Sequence, residues 1–131
     1  MKRSKALPPR PTQAELEILS VLWERGPSSV REVQQDLTGS RVSGYTTVLK
    51  MLEIMASRGL VPRDESDRSH VYRAALARED TQRQLVTDLL ERAFGGSASQ
   101  LIQQALATRR ATREEMREIR RLLERAEGGK P

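Results

Sequence analysis

The chain has 131 residues, 37% hydrophobic but only 3% aromatic, so a core must be built from Leu, Ile, Val, Met and Ala. It has no cysteine and one histidine, which excludes disulfides and thiolate-ligated zinc or copper and leaves no metal centre of the usual kind. Its formal charge of +5 is spread along the chain, 12 Lys/Arg against 9 Asp/Glu in residues 1–75 and 11 against 9 beyond, and it permits a nucleic-acid partner without requiring one.

No apolar run approaches the roughly 18 residues of a membrane span. The basic N-terminus (Lys2, Arg3, Lys5, Arg10) is followed by prolines where a signal peptide would carry an apolar core. The expected compartment is the cytoplasm, with no membrane insertion and no cofactor. Charged residues at 31% and an abundance of Leu, Ala, Glu, Arg and Gln point to a mostly helical protein.

Residues 1–11 lack periodicity and carry three prolines, and they read as a flexible basic arm. Thr12-Gln13-Ala14-Glu15 is a capping box, a hydroxyl followed three residues later by a carboxylate. The helix it opens carries Leu16, Leu19, Leu22 and Trp23 at core spacing, with Ile18 beside them, and ends at Gly26-Pro27. A second box, Ser29 to Glu32, opens a short helix to about Leu37, with Val30, Val33 and Leu37 inward. Thr38-Gly39-Ser40 is a turn.

Ser43 to Gly59 (SGYTTVLKMLEIMASRG) reads as one helix with two unlike faces. Ser43 is the expected N-cap and Gly59 the C′ residue. Val48, Met51, Leu52 and Met55 share one face; Thr46, Lys50, Glu53 and Ser57 share the other, flanked by Ser43 and Thr47. Short hydroxyls and a lysine, gathered toward the N-terminal end, suit a helix that enters a DNA major groove. A short helix, a brief turn and a polar-faced helix, with one helix ahead of them, follow the helix-turn-helix order.

Leu60-Val61 and Val71-Tyr72 are β-favouring pairs around a polar, charged stretch, predicting a two-stranded hairpin. A hairpin directly after a recognition-type helix is the plan of a winged helix. Arg63 and Arg68 could reach phosphate or a minor groove, while Asp64, Glu65 and Asp67 oppose that contact. A lone histidine beside a strand, His70 here, is more often structural than functional.

Three helical segments follow. Arg78 to Phe94 lines up Leu85, Val86, Leu89, Leu90, Ala93 and Phe94, and Gly95-Gly96 breaks it. Ser97 to about Ala107 carries Leu101, Ile102, Ala105 and Leu106. Thr112 to Glu115 is a third capping box, opening a helix with Met116, Ile119, Leu122, Leu123 and Ala126. Three helices in about 50 residues barely enclose a core alone. A second copy would cover their stripes, and a two-fold homodimer matches palindromic DNA. The expected dimer contacts are Leu89, Leu101, Ile102, Leu106, Met116, Ile119, Leu122 and Leu123. The domain plan is therefore an arm (1–11), a winged-helix DNA-binding domain (12–76), a three-helix dimerisation region (77–127) and a tail (128–131). No paired catalytic groups or phosphate-binding glycine loop appear, so an enzyme is not expected.

Ala14–Trp23 (AELEILSVLW), Tyr45–Leu52 (YTTVLKML), Arg58–Val61 (RGLV), His70–Tyr72 (HVY) and Phe94–Ser97 (FGGS) together resemble the BlaI/MecI/CopY family of bacterial repressors, the penicillinase-repressor type. The resemblance covers residues 12–126. It implies a winged-helix dimer on dyad-symmetric operators, often with TACA/TGTA-like half-sites, that blocks transcription. By position it implies groove and phosphate contacts from Tyr45, Thr46, Thr47 and Lys50, with Arg68 on the wing. Copper-type members release DNA through a C-terminal cysteine cluster, absent here. Antibiotic-type members are cut in the dimerisation region after a membrane metalloprotease sensor signals, which makes that sensor or its protease effector a candidate partner. The cut lies at an Asn-Phe bond in the best-known members, and the aligned position here is near Gln104-Ala105. A winged-helix protein-protein interaction module without sequence-specific DNA binding remains the alternative, and the acidic wing tip would suit it.

Overall fold

The computed structural model describes residues 8–37, 39, 43–66 and 70–128. Among them the elements are α1 (Gln13–Arg25), α2 (Val30–Asp36), α3 (Tyr45–Ser57), β1 (Arg63–Asp64), β2 (Val71–Tyr72), α4 (Arg78–Ala93), α5 (Ala98–Thr108) and α6 (Arg113–Gly128). The chain is mostly α with one small antiparallel hairpin, a winged helix followed by further helices. Two compact units divide it at Val86/Thr87.

The N-terminal unit owes its helix limits to the caps legible in its sequence. Thr12 Oγ1 accepts from the Glu15 N–H at 3.2 Å while Glu15 Oε1 accepts from the Thr12 N–H at 2.9 Å. Ser29 and Glu32 repeat the exchange at 3.2 and 3.0 Å. Each box satisfies two backbone donors that a helix start leaves free. The end of α3 is equally explicit. Gly59 takes φ 82°, its N–H donates to Ala56 O, and the Leu60 N–H donates to Met55 O at 2.9 Å. This is a Schellman termination, in which glycine adopts the left-handed conformation without a Cβ penalty.

The start of α3 differs from the expectation. Gly44, not Ser43, is the N-cap, and no side chain caps the first turn. Ser43 lies one residue outside, where its carbonyl accepts from Gln34 Nε2 at 3.2 Å. That bond ties the entry of α3 to α2.

The core is the meeting of α1, α2 and α3 with the exit from α3. Ile18, Val33, Val48, Leu52, Met55, Val61 and Tyr72 are fully buried, and Leu19, Leu22, Val30, Leu37 and Leu60 nearly so. A large aliphatic side chain buried this way stabilises by about 1.5–3 kcal/mol. Val21 also turns inward, whereas Leu16 and Trp23 are only partly buried. Trp23 packs at the margin, where its indole N–H donates to Leu76 O at 3.0 Å and the Arg78 guanidinium lies 5.7 Å over the ring.

The hairpin pairs Arg63 with Tyr72 and Asp64 with Val71. The first strand thus begins three residues later than the expected Leu60-Val61. Those two are core residues still turning out of α3, and Pro62 has no N–H to give to a ladder. The carbonyls of Leu60 and Pro62 still accept from Ala75 and Arg73, so the pairing persists on one side only. A second partner for β2 is not legible in the sequence. Buried Ser28, just before α2, bridges Tyr72 with N–H···O bonds of 2.9 and 2.8 Å.

The first unit runs ten residues past the expected boundary after residue 76. Thr81 on α4 is buried, and Gln84 Nε2 donates to Pro8 O at 2.7 Å. Pro11 is buried too, so the last residues of the expected flexible arm are packed. Residues 1–7 lie outside the described residues, as do 129–131 of the expected tail.

The second unit comprises the end of α4 with α5 and α6. Ser97 caps α5 by accepting from the Gln100 N–H, and Thr112 accepts from the Glu115 N–H at 3.0 Å. No side chain of α5 or α6 is buried.

Candidate nucleic-acid interface

Helix α3 is clamped on one side and bare on the other. Val48, Leu52 and Met55 are locked in the core, with Leu49 and Met51 partly covered. The rotation of the helix is therefore fixed, and it turns Ser43, Tyr45, Thr46, Thr47, Lys50, Glu53 and Ser57 to solvent. Gly44 leaves the first-turn N–H groups without a side-chain acceptor, so they remain available to an anion. Short hydroxyls and amides at the start of the face, followed one turn later by a lysine, make a surface of donors around a fixed axis.

A partly buried ion pair holds that axis. Arg58, at the end of α3, donates to Glu15 Oε2 at 2.5 Å, and Glu15 is only 5% exposed. The same carboxylate gives its other oxygen to the capping box of α1. One side chain thus fastens the start of α1 to the end of α3. Linear spacing gives no sign of it, because the partners stand 43 residues apart and Glu15 already has a role in its box.

The wing carries mixed charge. Arg63 is exposed on β1 and ion-pairs with Glu65, its Nε donating at 2.7 Å. Its guanidinium is held above its ordinary value first by the Tyr72 hydroxyl and then by Glu65. The hydroxyl itself is buried and finds no partner at full hydrogen-bonding geometry. Asp64 Oδ1 accepts from the Ser66 N–H at 3.0 Å, which lowers its pKa. Arg68, the other expected wing contact, lies outside the described residues.

Beside the N-terminal end of α3 is an open cleft of about 430 Å³, lined by Ser29, Val30 and Arg31 of α2 and its cap, Tyr45 and Leu49 of α3, and His70 and Tyr72 of the hairpin. The Arg31 guanidinium sits 5.8 Å from the centroid of the half-exposed Tyr45 ring.

The family model described as penicillinase repressor matches residues 11–125. The chain belongs to this family. Among its relatives, the transcriptional regulator BlaI of Mycobacterium tuberculosis is 32% identical over 87 residues, 66% of this chain. The match spans 63% of that relative's length. The penicillinase repressor of Bacillus licheniformis is 23% identical over 116 residues, covering 88% of this chain and 91% of its own. Similar solved structures include the DNA-binding domain of the repressor BlaI in solution, with 24% identity, TM-score 0.49, and coverage of 58% of this chain and 93% of that one. Another is the Bacillus licheniformis BlaI monomeric form in complex with the blaP half-operator, with 24% identity, TM-score 0.49, and coverage of 56% and 90%.

The second unit of this penicillinase-repressor-family chain displays its apolar side chains. Leu89, Ile102, Leu106, Leu122 and Leu123 are 41–54% exposed, and Leu101, Met116 and Ile119 are half-buried. Large apolar groups thus repeat along the exposed faces of these helices. No helix among the described residues is long and apolar enough to cross a membrane.

Proposed function

We propose that the protein is a dimeric, sequence-specific DNA-binding repressor of transcription that acts on dyad-symmetric operators. The observation that carries this reading is the fixed, solvent-facing polar side of α3 in a winged helix of the penicillinase repressor family. Tyr45, Thr46 and Thr47 supply contacts to base edges and sugars, and Lys50 neutralises a phosphate. Ser43 adds a donor at the groove edge. On the wing, Arg63 reaches the backbone less freely than Lys50 because Glu65 holds it, and Arg68 adds a second cation. The exposed stripes of α4, α5 and α6 pair with those of a second copy, through Leu89, Leu101, Ile102, Leu106, Met116, Ile119, Leu122 and Leu123. A two-fold dimer then presents two α3 helices about one DNA turn apart, ~34–36 Å.

Release from the operator follows loss of the dimer. Cleavage in the C-terminal unit, by a membrane metalloprotease sensor or its protease effector, would separate the two winged helices. The protein works in the cytoplasm, where operator and effector meet. A gel shift against the DNA upstream of its own gene, at two salt concentrations, tests the reading. Retardation of that fragment but not of a scrambled one supports it, and equal retardation of both contradicts it.

A further inference from the structure

The cleft beside the start of α3 has a composition that the base-reading face does not explain. Three separate elements converge there, and each brings a group that suits a phosphodiester. Arg31 of α2 is exposed, rests against the Tyr45 ring, and has no carboxylate partner among the described residues. His70 enters from the hairpin and is also exposed. The carboxylate nearest in sequence to Arg31 is Glu32, and it faces elsewhere. It accepts from the Ser29 N–H at 3.0 Å and lies 3.7 Å from Arg25. A guanidinium leaning on an aromatic ring is restricted in direction, so less order is lost when it forks onto an anion. The cleft is open and, at about 430 Å³, larger than a single phosphate. Its walls alternate polar groups (Ser29, Arg31, His70) with apolar ones (Val30, Leu49 and the Tyr45 ring). Polar donors beside apolar walls fit a phosphate together with its flanking sugars.

We infer that this cleft seats a backbone phosphate of the bound DNA, with Arg31 and His70 as its donors and Tyr45 as the wall that orients Arg31. The inference rests on the repressor reading above. It assigns a contact to α2 and gives the lone histidine a part in binding. The seat lies at the N-terminal end of α3, so it fixes how far the helix enters the groove while reading no base itself.

The test uses the full-length protein and two fluorescein-labelled duplexes, the DNA upstream of its own gene and a scrambled version of equal length. Anisotropy titrations at several salt concentrations compare wild type with R31A, H70Q and R31A/H70Q. R31A is expected to weaken both duplexes to a similar degree, roughly tenfold, and to lower the log–log salt slope by about 0.9, the signature of one lost phosphate contact. The double variant is expected to be weaker still. Duplexes with single uncharged methylphosphonates then locate the seat: one position per half-site should weaken wild type but leave R31A unchanged. Circular dichroism should be that of wild type, since both residues are exposed.

Wild-type affinity and salt slope in R31A and in the double variant, with wild type still preferring the upstream duplex, would overturn the phosphate seat and leave the repressor reading standing. A loss confined to the upstream duplex would overturn it as well, by making Arg31 a base reader. If wild type binds neither duplex, the repressor reading falls and the seat falls with it.

Discussion

The two units of the chain spend similar side chains on opposite ends. In the first, Leu52 of α3 is fully buried among residues of its own chain; in the second, Leu122 of α6 is 49% exposed. Both belong to regular apolar stripes on capped helices. The first stripe meets α1, α2 and the exit from α3 and closes a core. The second leaves its leucines at the surface, and water contact along such a stripe costs what a partner could recover. A unit that completes its core alone can hold a precise surface, here the polar side of α3. A unit that does not leaves its apolar side chains open to a partner.

The sharpest way to break this contrast is to charge the open stripe. Leu122→Arg or Leu123→Arg should yield monomers by sedimentation, with operator affinity reduced about 100-fold or more, because the two half-sites then bind independently. A fully dimeric variant would remove the stripe from the interface. The next largest effect compares matched truncations. Leu52→Ala should destabilise the first unit by about 2–5 kcal/mol in chemical denaturation, as expected of a filled core. Leu122→Ala, measured at concentrations where the protein is monomeric, should shift that transition little.

Within the first unit, Glu15→Ala removes both the Arg58 pair and half of the α1 capping box. It should cost about 2–3 kcal/mol in denaturation, since the partner guanidinium is left without its anion and a backbone donor without its acceptor. Operator affinity should fall more than scrambled-DNA affinity, because the orientation of α3 loosens. Thr46→Ala removes an exposed hydroxyl from the polar side of α3. It should erode preference for the operator by about 1–3 kcal/mol if Thr46 makes a base contact, with unchanged melting. An unchanged preference would move base reading to another face.

The smallest expected effect lies at the surface pair joining the ends of α1 and α2. Arg25 donates to Asp36 at 3.1 Å and lowers the carboxyl's pKa. A depressed carboxyl stabilises the fold above its ordinary range, and that contribution disappears as pH falls through the folded value. Asp36→Asn should therefore leave the melting temperature at pH 7 slightly reduced and flatten its decline between about pH 5 and 3. An unaltered acid slope would show that the exposed pair contributes nothing measurable.

What the sequence makes legible is local. Thr12–Glu15, Ser29–Glu32 and Gly59 announce helix limits because caps are written within four residues of the ends they satisfy. The polar side of α3 is legible for the same reason, since a 3.6-residue period needs only its own helix. Features that join distant segments are not. The Arg58–Glu15 pair, the Ser28–Tyr72 bridge and the meeting of Arg31, Tyr45 and His70 around one cleft depend on how the elements pack. The misplaced strand is a middle case. Leu60-Val61 has β-favouring side chains, but the core took them, and the proline that follows moved the ladder to Arg63. The same distinction explains Ser43. A serine just ahead of a helix suggests a cap, but α3 starts at Tyr45 with Gly44 as its N-cap, which leaves Ser43 one position outside with its carbonyl accepting from Gln34.

Sequence-specific DNA binding is tested by titrating the wild-type protein, by anisotropy at near-physiological salt, against the duplex from upstream of its own gene and its scrambled counterpart. A repressor that reads its operator through α3 should prefer the upstream duplex by about 10³-fold or more, a preference lost progressively in Thr46 and Thr47 variants that melt as wild type does. Equal affinities for the two duplexes would contradict it.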